Sequence, residues 1–325
     1  NNTKLFGFII PSVVLYNLVL LLFLLMKVIL GMPDDRIPIW KLGSPIMINQ
    51  LRTIERTWKN ETWVDSGGYQ IMKKGIKIDV KEVINKYKQV EGDYFISLDI
   101  PTPVCSPPAK ETFDYYLKLY EAELDVIPVI HAYPFDHIDK ALDFYSSHPP
   151  KLIAYGGVVP PLLHRGIGRT TVIAIYHYLR NKIKNLHVMG AGSPFMRRVF
   201  YNADSVDTST YRVKGAMGMI LIPGKGEKYV GSRKIKWHVR SANNEEIESL
   251  LVFLERTHFP FDINLDNWIN RTLINAWVIL KSEYTGSRPE IRKSEEIGKL
   301  SANDIREMDV CGKLKLSSAS QTNTS

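Results

Sequence analysis

The stretch that decides the fold is residues 125–158, DVIPVIHAYPFDHIDKALDFYSSHPPKLIAYGGV. It begins with one apolar run, DVIPVIHA, and ends with another, KLIAYGGV, and between them HIDKALDFYSS places apolar residues at helical spacing. Apolar strands on either side of an amphipathic helix are typical of a parallel βαβ unit, in which helices cover the sheet. The stretch therefore predicts a strand, a helix and a strand in succession.

The same order recurs from about residue 60 to residue 215. Further strands are predicted at TWVDS, DYFISLD, NLHVMGAG and SVDTST, and further helices at VKEVINKYKQVE, KETFDYYLKLYEAEL and TTVIAIYHYLRNKIK. With FGFII (6–10) and RIPIW (36–40), the count reaches eight strands. Eight strands alternating with helices predict an α/β fold, a (β/α)8 TIM barrel, and a doubly wound open sheet is the alternative.

The rhythm changes after residue 215. MILIPGKGEKYVGSRKIKWHV, with its glycine turns, predicts a small β-hairpin insert, and NNEEIESLLVFLERT and LDNWINRTLINAWVILKSEY predict C-terminal helices. We expect a barrel domain over 1–285 that includes a basic hairpin insert at 212–240, and a C-terminal extension over 286–325. The small polar residues from Lys313 onwards predict disorder.

Composition and charge narrow the range of partners. The chain has 325 residues, 45% of them hydrophobic and 23% charged, as in ordinary folded proteins, and its net charge is +8. One acid, Glu227, lies among a run of basic residues, namely Arg212, Lys214, Lys225, Lys228, Arg233, Lys234, Lys236 and Arg240. Such a run favours a polyanion, either nucleic acid or an anionic membrane, and the alternative is a solvated basic face that binds nothing.

The N-terminus admits two interpretations. No charged residue lies between Lys4 and Lys27, so residues 5–30 are long enough to anchor the chain in a membrane. Alternatively, residues 1–32 form a buried strand LFGFII, a turn at Pro11 and a buried helix from about Leu15 to Leu30. A cytoplasmic location is expected, with the membrane anchor left open.

The two cysteines, Cys105 and Cys311, are far apart in the sequence and have no histidine at ligand spacing. They predict neither a disulfide framework nor a cysteine-rich zinc site. Their scarcity fits a reducing interior. No metal site is predicted.

Three acids end predicted strands: Asp65, Asp99 and Asp207. The carboxyl ends of parallel barrel strands meet at one rim, where the active sites of such barrels are built. Each acid alone is explained as a turn or cap residue. Three acids on one rim are costly unless they bind a cation, pair with bases or take part in chemistry. The set therefore indicates a functional site.

The motifs around these acids resemble, in chain order, those of the tRNA-guanine transglycosylases. They are DSGGYQ (65–70), FISLD ending at Asp99, YGGVVP (155–160), HVMGAG (187–192) and SVDTSTY (205–211). The resemblance implies a TIM barrel that exchanges guanine for a 7-deazaguanine base on a ribose. It also implies that Asp207 is the nucleophile at the anomeric carbon and that Asp65 is the general acid/base. Retaining glycosyl transfer usually uses two carboxylates in these roles.

The resemblance further implies a base-binding set. Tyr69 would stack on the purine, while Asp99, Ser66 and the Gly156 backbone amide would contact its edge, and Gly157 and Gly190 would complete the set. His131 occupies the position where the family carries glutamine, and it is either a base-edge donor or an ordinary strand histidine. The basic residues of the insert would contact phosphates, because a guanine must leave its stack to reach the rim.

The chain also departs from the tRNA enzymes. It lacks their Cys-x-Cys-x2-Cys…His zinc ligands and has no room for their C-terminal RNA-binding domains, so no zinc subdomain and no cofactor are expected. In these respects, the chain resembles the branch of the family that inserts 7-deazaguanines into DNA. That branch protects viral or cellular genomes. Expected partners are nucleic acid, with DNA ahead of tRNA, a 7-deazaguanine base, and a second copy of the chain. A non-catalytic nucleic-acid-binding barrel is the alternative from another class.

Overall fold

The computed structural model describes most of the chain. The described residues are 26–32, 34–52, 55–75, 79–163, 168–231 and 239–312. The side chains of Tyr69 and Met72 also lie outside the described part. The predictions for LFGFII and for the tail from Lys313 fall outside these residues.

Nine parallel strands form the main sheet, in the spatial order β5-β4-β3-β2-β1-β9-β8-β7-β6. Their bounds are β1 Lys27–Gly31, β2 Ile46–Asn49, β3 Thr62–Asp65, β4 Tyr94–Ile96, β5 Val126–Ile127, β6 Val129–Ile130, β7 Ile153–Tyr155, β8 Leu186–Val188 and β9 Ser205–Thr208. Most strand residues are buried, as expected for a sheet whose outer face is covered by helices.

The two ends of this strand order are joined through a single residue. Pro128 separates β5 from β6, and it has no N–H to contribute to a strand ladder. β5 therefore pairs with β4, and β6 pairs with β7 on the other side. The sheet is consequently nearly closed and barrel-like, an arrangement compatible with a TIM-like barrel. The predicted α/β class is confirmed.

Twelve α-helices lie in the described part of the chain. They are α1 Gly68–Lys74, α2 Val80–Gln89, α3 Lys110–Glu121, α4 Phe135–Ser146, α5 Val159–Leu163, α6 Arg169–Lys182, α7 Pro194–Val199, α8 Thr210–Ala216, α9 Asn244–Arg256, α10 Trp268–Lys281, α11 Pro289–Ile297 and α12 Ala302–Glu307. Several begin at a side-chain cap, such as Asp79 for α2, Asn243 for α9 and Asn267 for α10. Such caps satisfy the first free N–H groups of a helix.

Two hydrophobic clusters hold the fold together. The larger cluster fills the space between the sheet and the helices. The smaller one, called the inner cluster, consists of residues from successive strands, namely Ile29, Met47, Trp63, Ile96, Ile127, Val129 and Ala154. Side chains alternate between the two faces of a strand, so residues two positions further along point to the same side as this inner cluster.

The predictions for residues 27–49 are wrong, whereas the strand predicted at FGFII lies outside the described residues and stays a prediction. RIPIW is not a strand, because its chain turns into a 3-10 helix, Ile39–Leu42, just after Pro38. Lys27–Leu30, predicted as the end of a helix, belongs to β1, which pairs with β9 and β2. β2 itself, Ile46–Asn49, was not predicted. Pairing on both sides fixes these segments as strands, and local sequence does not reveal such pairing.

The hairpin predicted after the barrel strands is present, but residues 212–216 of the predicted insert belong to α8. β10 Met219–Ile222 and β11 Gly226–Tyr229 form the predicted antiparallel hairpin. Ion pairs fasten the C-terminal helices to the rest of the fold. Arg169 of α6 pairs with Glu290 of α11, and Arg306 of α12 pairs with Asp139 of α4.

The cysteine prediction is also wrong. Cys105 and Cys311 form a disulfide bond that spans 206 residues of sequence. Cys105 lies in the loop after β4, and its backbone N–H donates to the carbonyl of Ala132, the second residue after β6. Disulfides persist mainly in oxidising compartments and in intracellular proteins of hyperthermophiles. The two cysteines therefore do not favour a reducing interior.

Within the ranges that the structure covers, none of the helices has both the length and the apolar content needed to span a bilayer. Residues 1–25, which contain most of the anchor predicted at 5–30, lie outside those ranges.

Candidate active site

The predicted carboxylates lie at one end of the barrel. Asp65 is the last residue of β3, two positions after the inner-cluster residue Trp63. Asp207 lies on β9, in register with the inner-cluster residue Ile29 of β1. Asp99 follows β4. Strand alternation and pairing thus bring together three acids that are far apart in sequence.

Asp65 is the acid most affected by its neighbours. Its Oδ2 accepts a hydrogen bond of 3.0 Å from Nδ2 of Asn49, the facing residue on β2. Burial, followed by the negative charges of Asp207 and Asp99, raises the pKa of the Asp65 carboxyl to about 7. A carboxyl that exchanges its proton near neutral pH is suited to general acid/base work.

The raised pKa of Asp65 predicts a stability change on substitution. Folded Asp65 stays protonated up to about pH 7, whereas an unfolded aspartate ionises near its ordinary value of 3.8. The wild type therefore loses stability as pH rises between these values, and Asp65→Asn removes that loss. In urea titrations, we expect the free energy of unfolding of the variant, relative to that of the wild type, to rise by roughly 2–4 kcal/mol from pH 4 to pH 8. A difference that is the same at both pH values would contradict the assignment.

Asp207 is held through one of its two oxygens. Oδ1 accepts hydrogen bonds from the Gly190 backbone N–H at 2.8 Å and from Nε2 of His187 at 3.1 Å. The Ser205 hydroxyl lies 2.9 Å from Nδ1 of His187, and by donating there it keeps the hydrogen on Nε2. These contacts orient the carboxylate and leave Oδ2 as the oxygen available for attack.

His187 is a site residue that the sequence prediction missed. It is fully buried, and its ring lies 4.9 Å from the ring of Trp63. A histidine inside the apolar strand LHV was the available signal, since a buried polar side chain needs a partner. Asn49, at the end of the apolar strand IMIN, carried the same signal.

Asp99 and His131 form a buried pair. Nε2 of His131 lies 2.7 Å from Oδ2 of Asp99, and both residues are less than a tenth exposed. A Cβ on Gly156 would lie 3.0 Å from the His131 ring, and a Cβ on Gly68 would lie 2.6 Å from the Asp99 carbonyl oxygen. The hydrogen bond from His131 orients Asp99, and Nδ1 of His131 is buried with no hydrogen-bond partner among the described residues.

The other predicted base-binding groups differ in whether their polar atoms are free to contact a base. The Gly156 N–H donates to the carbonyl of Ile130 at 2.9 Å, so its predicted role as a free base-edge donor is corrected. The Ser66 hydroxyl is buried and accepts from the Gly68 N–H at 3.3 Å. Gly157, with φ of +72°, turns the chain beside His131. The side chain of Tyr69 lies outside the described part.

Most of the predicted basic residues that are described have an acidic neighbour. Lys214 pairs with Glu227, Arg212 with Asp34, and Lys228 and Arg240 with Glu246. Arg233, Lys234 and Lys236 lie outside the described residues, and no ion pair is shown for Lys225. Part of the positive charge in 212–240 is thus balanced within the fold, and phosphate contact remains a prediction for these residues.

In the part of the chain that is described, the His, Cys, Asp and Glu side chains form no group of three or more that could hold a metal ion. The rim acids are instead contacted by hydrogen-bond donors, namely Asn49, His131, His187 and the Gly190 amide.

Comparison with known proteins gives one informative match. No protein-family profile matches the chain. The sequence is 39% identical over 277 residues to Uncharacterized protein 306 of Sulfolobus islandicus rod-shaped virus 1, and the match covers 82% of this chain and 88% of the viral protein. Identity at this level along most of both chains reflects common descent and a common fold. The chain therefore belongs to the same protein family as this viral protein.

Proposed function

We propose that the protein is a (β/α)8-barrel guanine transglycosylase that exchanges guanine in DNA for a 7-deazaguanine base. One observation carries the proposal. Asp65, whose pKa is raised to about 7, interacts at the barrel rim with Asp207, a carboxylate oriented by hydrogen bonds to a single oxygen. A proton-exchanging acid next to a fixed carboxylate is the pair that retaining glycosyl transfer requires.

In the first half of the proposed reaction, Oδ2 of Asp207 attacks C1′ of the nucleotide and the C1′–N9 bond breaks. The protonated Asp65 carboxyl gives its proton to the departing guanine, which leaves as a neutral base. The products are a covalent aspartyl–sugar ester, an ionised Asp65 and free guanine. Hydrogen bonds from the Gly190 amide and His187 hold the nucleophile in place throughout.

In the second half, the incoming 7-deazaguanine gives its N9 proton to the ionised Asp65. N9 then attacks C1′, the ester bond breaks, and Asp207 returns as a carboxylate. Two displacements keep the new base on the original face of the sugar. The scheme needs no cofactor, because both protons and both leaving groups are managed by side chains.

The base would lie against Asp99. His131 holds Oδ2 of that carboxylate, and no hydrogen bond engages Oδ1 within the described residues, so Oδ1 is the oxygen that would accept from the purine edge. Tyr69 follows Gly68 at the start of α1 and would supply the stacking face. The Asp99 acceptor and the Tyr69 stacking face are both parts of the proposal.

DNA is favoured over tRNA by two considerations. The sequence lacks the zinc ligands that the tRNA enzymes carry after the nucleophile strand. The relative comes from a virus, which fits the resemblance to the branch that protects viral or cellular genomes. A tRNA-guanine transglycosylase is the alternative enzyme, and a barrel that binds nucleic acid without exchanging bases is the alternative from another class.

A base-exchange assay tests the proposal. The protein is incubated with 7-cyano-7-deazaguanine and either duplex DNA or tRNA, each labelled in guanine. We expect label to leave DNA, and Asp204→Asn, which changes an acid just before β9, to act as wild type. Release from tRNA alone would overturn the DNA assignment. Binding without release from either would favour the non-catalytic barrel.

A further inference from the structure

A second cluster of charged and aromatic side chains lies beside the rim. Asp34 follows the end of β1, the strand adjacent to β9, and Arg212 lies in the first turn of α8, shortly after Asp207. Asp34 pairs with Arg36 at 2.6 Å and with Arg212 at 3.8 Å. Trp268 begins α10. We name Asp34, Arg36, Arg212 and Trp268 the arginine–tryptophan cluster.

The four members of the cluster carry two positive charges and one negative charge, and the exposed carboxylate of Asp35 also acts on Arg36. Hydrogen bonds from Arg36, together with the charges of Arg36 and Arg212, lower the pKa of Asp34 to about 2, so this buried acid stays ionised. Two guanidinium groups, which remain charged at any physiological pH, share this single carboxylate. The Arg36 side chain is 69% exposed, so one of the two cations is open to solvent.

The shapes of these groups suit a nucleic-acid strand. The guanidinium carbons of Arg36 and Arg212 lie 5.7 Å and 5.8 Å from the ring centre of Trp268, within the range of cation–π contact. Guanidinium N–H groups donate hydrogen bonds to phosphate, and an indole ring offers a surface on which a base can stack. Proteins that bind single-stranded nucleic acids combine these two features. Asp34 keeps both arginines in position.

We propose that the arginine–tryptophan cluster binds the nucleic-acid strand next to the nucleotide that enters the rim. Arg36 and Arg212 contact a phosphodiester, and Trp268 packs against a neighbouring sugar or base. The identity of the entering nucleotide rests on the proposed function, whereas the binding itself requires no chemistry. Arg36 lies outside 212–240, so this surface extends beyond the basic residues predicted from sequence.

Fluorescence anisotropy with a short labelled single-stranded DNA, measured over a range of salt concentrations, tests the proposal. We expect Arg36→Ala and Arg212→Ala each to weaken binding about 5- to 10-fold and to lower the salt slope by about one. Arg180→Ala is the matched control, because Arg180 pairs with Asp204, at the opposite end of β9 from Asp207. We expect this variant to bind as wild type.

Two further variants guard against loss of folding, since removing one partner of a buried acid destabilises proteins. Asp34→Asn removes the negative charge but keeps an amide oxygen that accepts from Arg36, so we expect tighter binding and a steeper salt slope. Arg36→Lys keeps the charge and loses the planar contact, so we expect an intermediate affinity. Affinities and slopes equal to wild type in all four cluster variants would overturn the proposal. DNA binding that depends on the cluster, without base exchange, would uphold it and refute the proposed function.

Discussion

Replacement of Asp207 by asparagine is expected to abolish covalent capture of the sugar and to slow base exchange by about 10⁴-fold or more. The asparagine Oδ1 still accepts from the Gly190 N–H and from His187, so the local structure is preserved. An amide nitrogen takes the place of Oδ2 and cannot form the ester. The measurement is denaturing electrophoresis of the protein after incubation with DNA, which separates a covalent adduct from bound DNA.

The control for this experiment is Asp204→Asn. Asp204 pairs with Arg180 and accepts from the Leu186 N–H, at the opposite end of β9 from Asp207. We expect the control to form the adduct at the wild-type rate. An adduct that persists in Asp207→Asn would show that another residue is the nucleophile, while loss of the adduct in both variants would indicate damage to β9.

Reduction of the Cys105–Cys311 bond is expected to lower the free energy of unfolding by about 3–5 kcal/mol. The bond closes a loop of 206 residues, and a long closed loop restricts the unfolded chain strongly. The measurement is the urea midpoint of the wild type with and without reductant. We expect Cys105→Ser and Cys311→Ser to unfold at the midpoint of the reduced wild type.

The matched control is internal to this set. Reductant should leave the midpoints of the two serine variants unchanged, because neither can form the bond. Equal midpoints for oxidised and reduced wild type would show that the bond contributes nothing to stability. Urea slopes should be compared as well, since a closed loop changes the surface that the unfolded chain exposes.

The strands and helices between residues 60 and 215 could be predicted because each one carries its own signal. DVIPVIHA is mostly apolar and HIDKALDFYSS is amphipathic, and the structure has β5, β6 and α4 at these places. The split of DVIPVIHA at Pro128 was not predicted, although proline lacks the N–H that a ladder needs. Its consequence, that the two halves pair with different neighbours, was not predicted either.

The first two strands escaped prediction for a different reason. KVILG follows a long apolar stretch and has no turn residue before it, so helix and strand fit it equally well. Its identity as β1 comes from pairing with β9, about 180 residues away in sequence. The disulfide has the same character, because nothing near Cys105 or Cys311 in the sequence points to the other.

For the candidate site, the sequence predicted which strand ends carry acids, and the structure brings those acids together. It did not predict what surrounds them. Asn49 and His187 contact Asp65 and Asp207 from neighbouring strands, and such contacts depend on register. The Gly156 amide was misassigned because its use in the ladder with Ile130 depends on register too.

The packing around Asp99 and His131 has a consequence for how this family can evolve. A Cβ at Gly68 would lie 2.6 Å from the Asp99 carbonyl oxygen and would collide with it, and a Cβ at Gly156 would lie 3.0 Å from the His131 ring, which would have to shift to make room. Conversely, replacing His131 by a smaller residue leaves the buried Asp99 carboxylate without its hydrogen bond and opens space beside Gly156. We therefore expect substitutions at these four positions to be coupled, so that Gly156→Ala destabilises the wild type more than it destabilises His131→Ala.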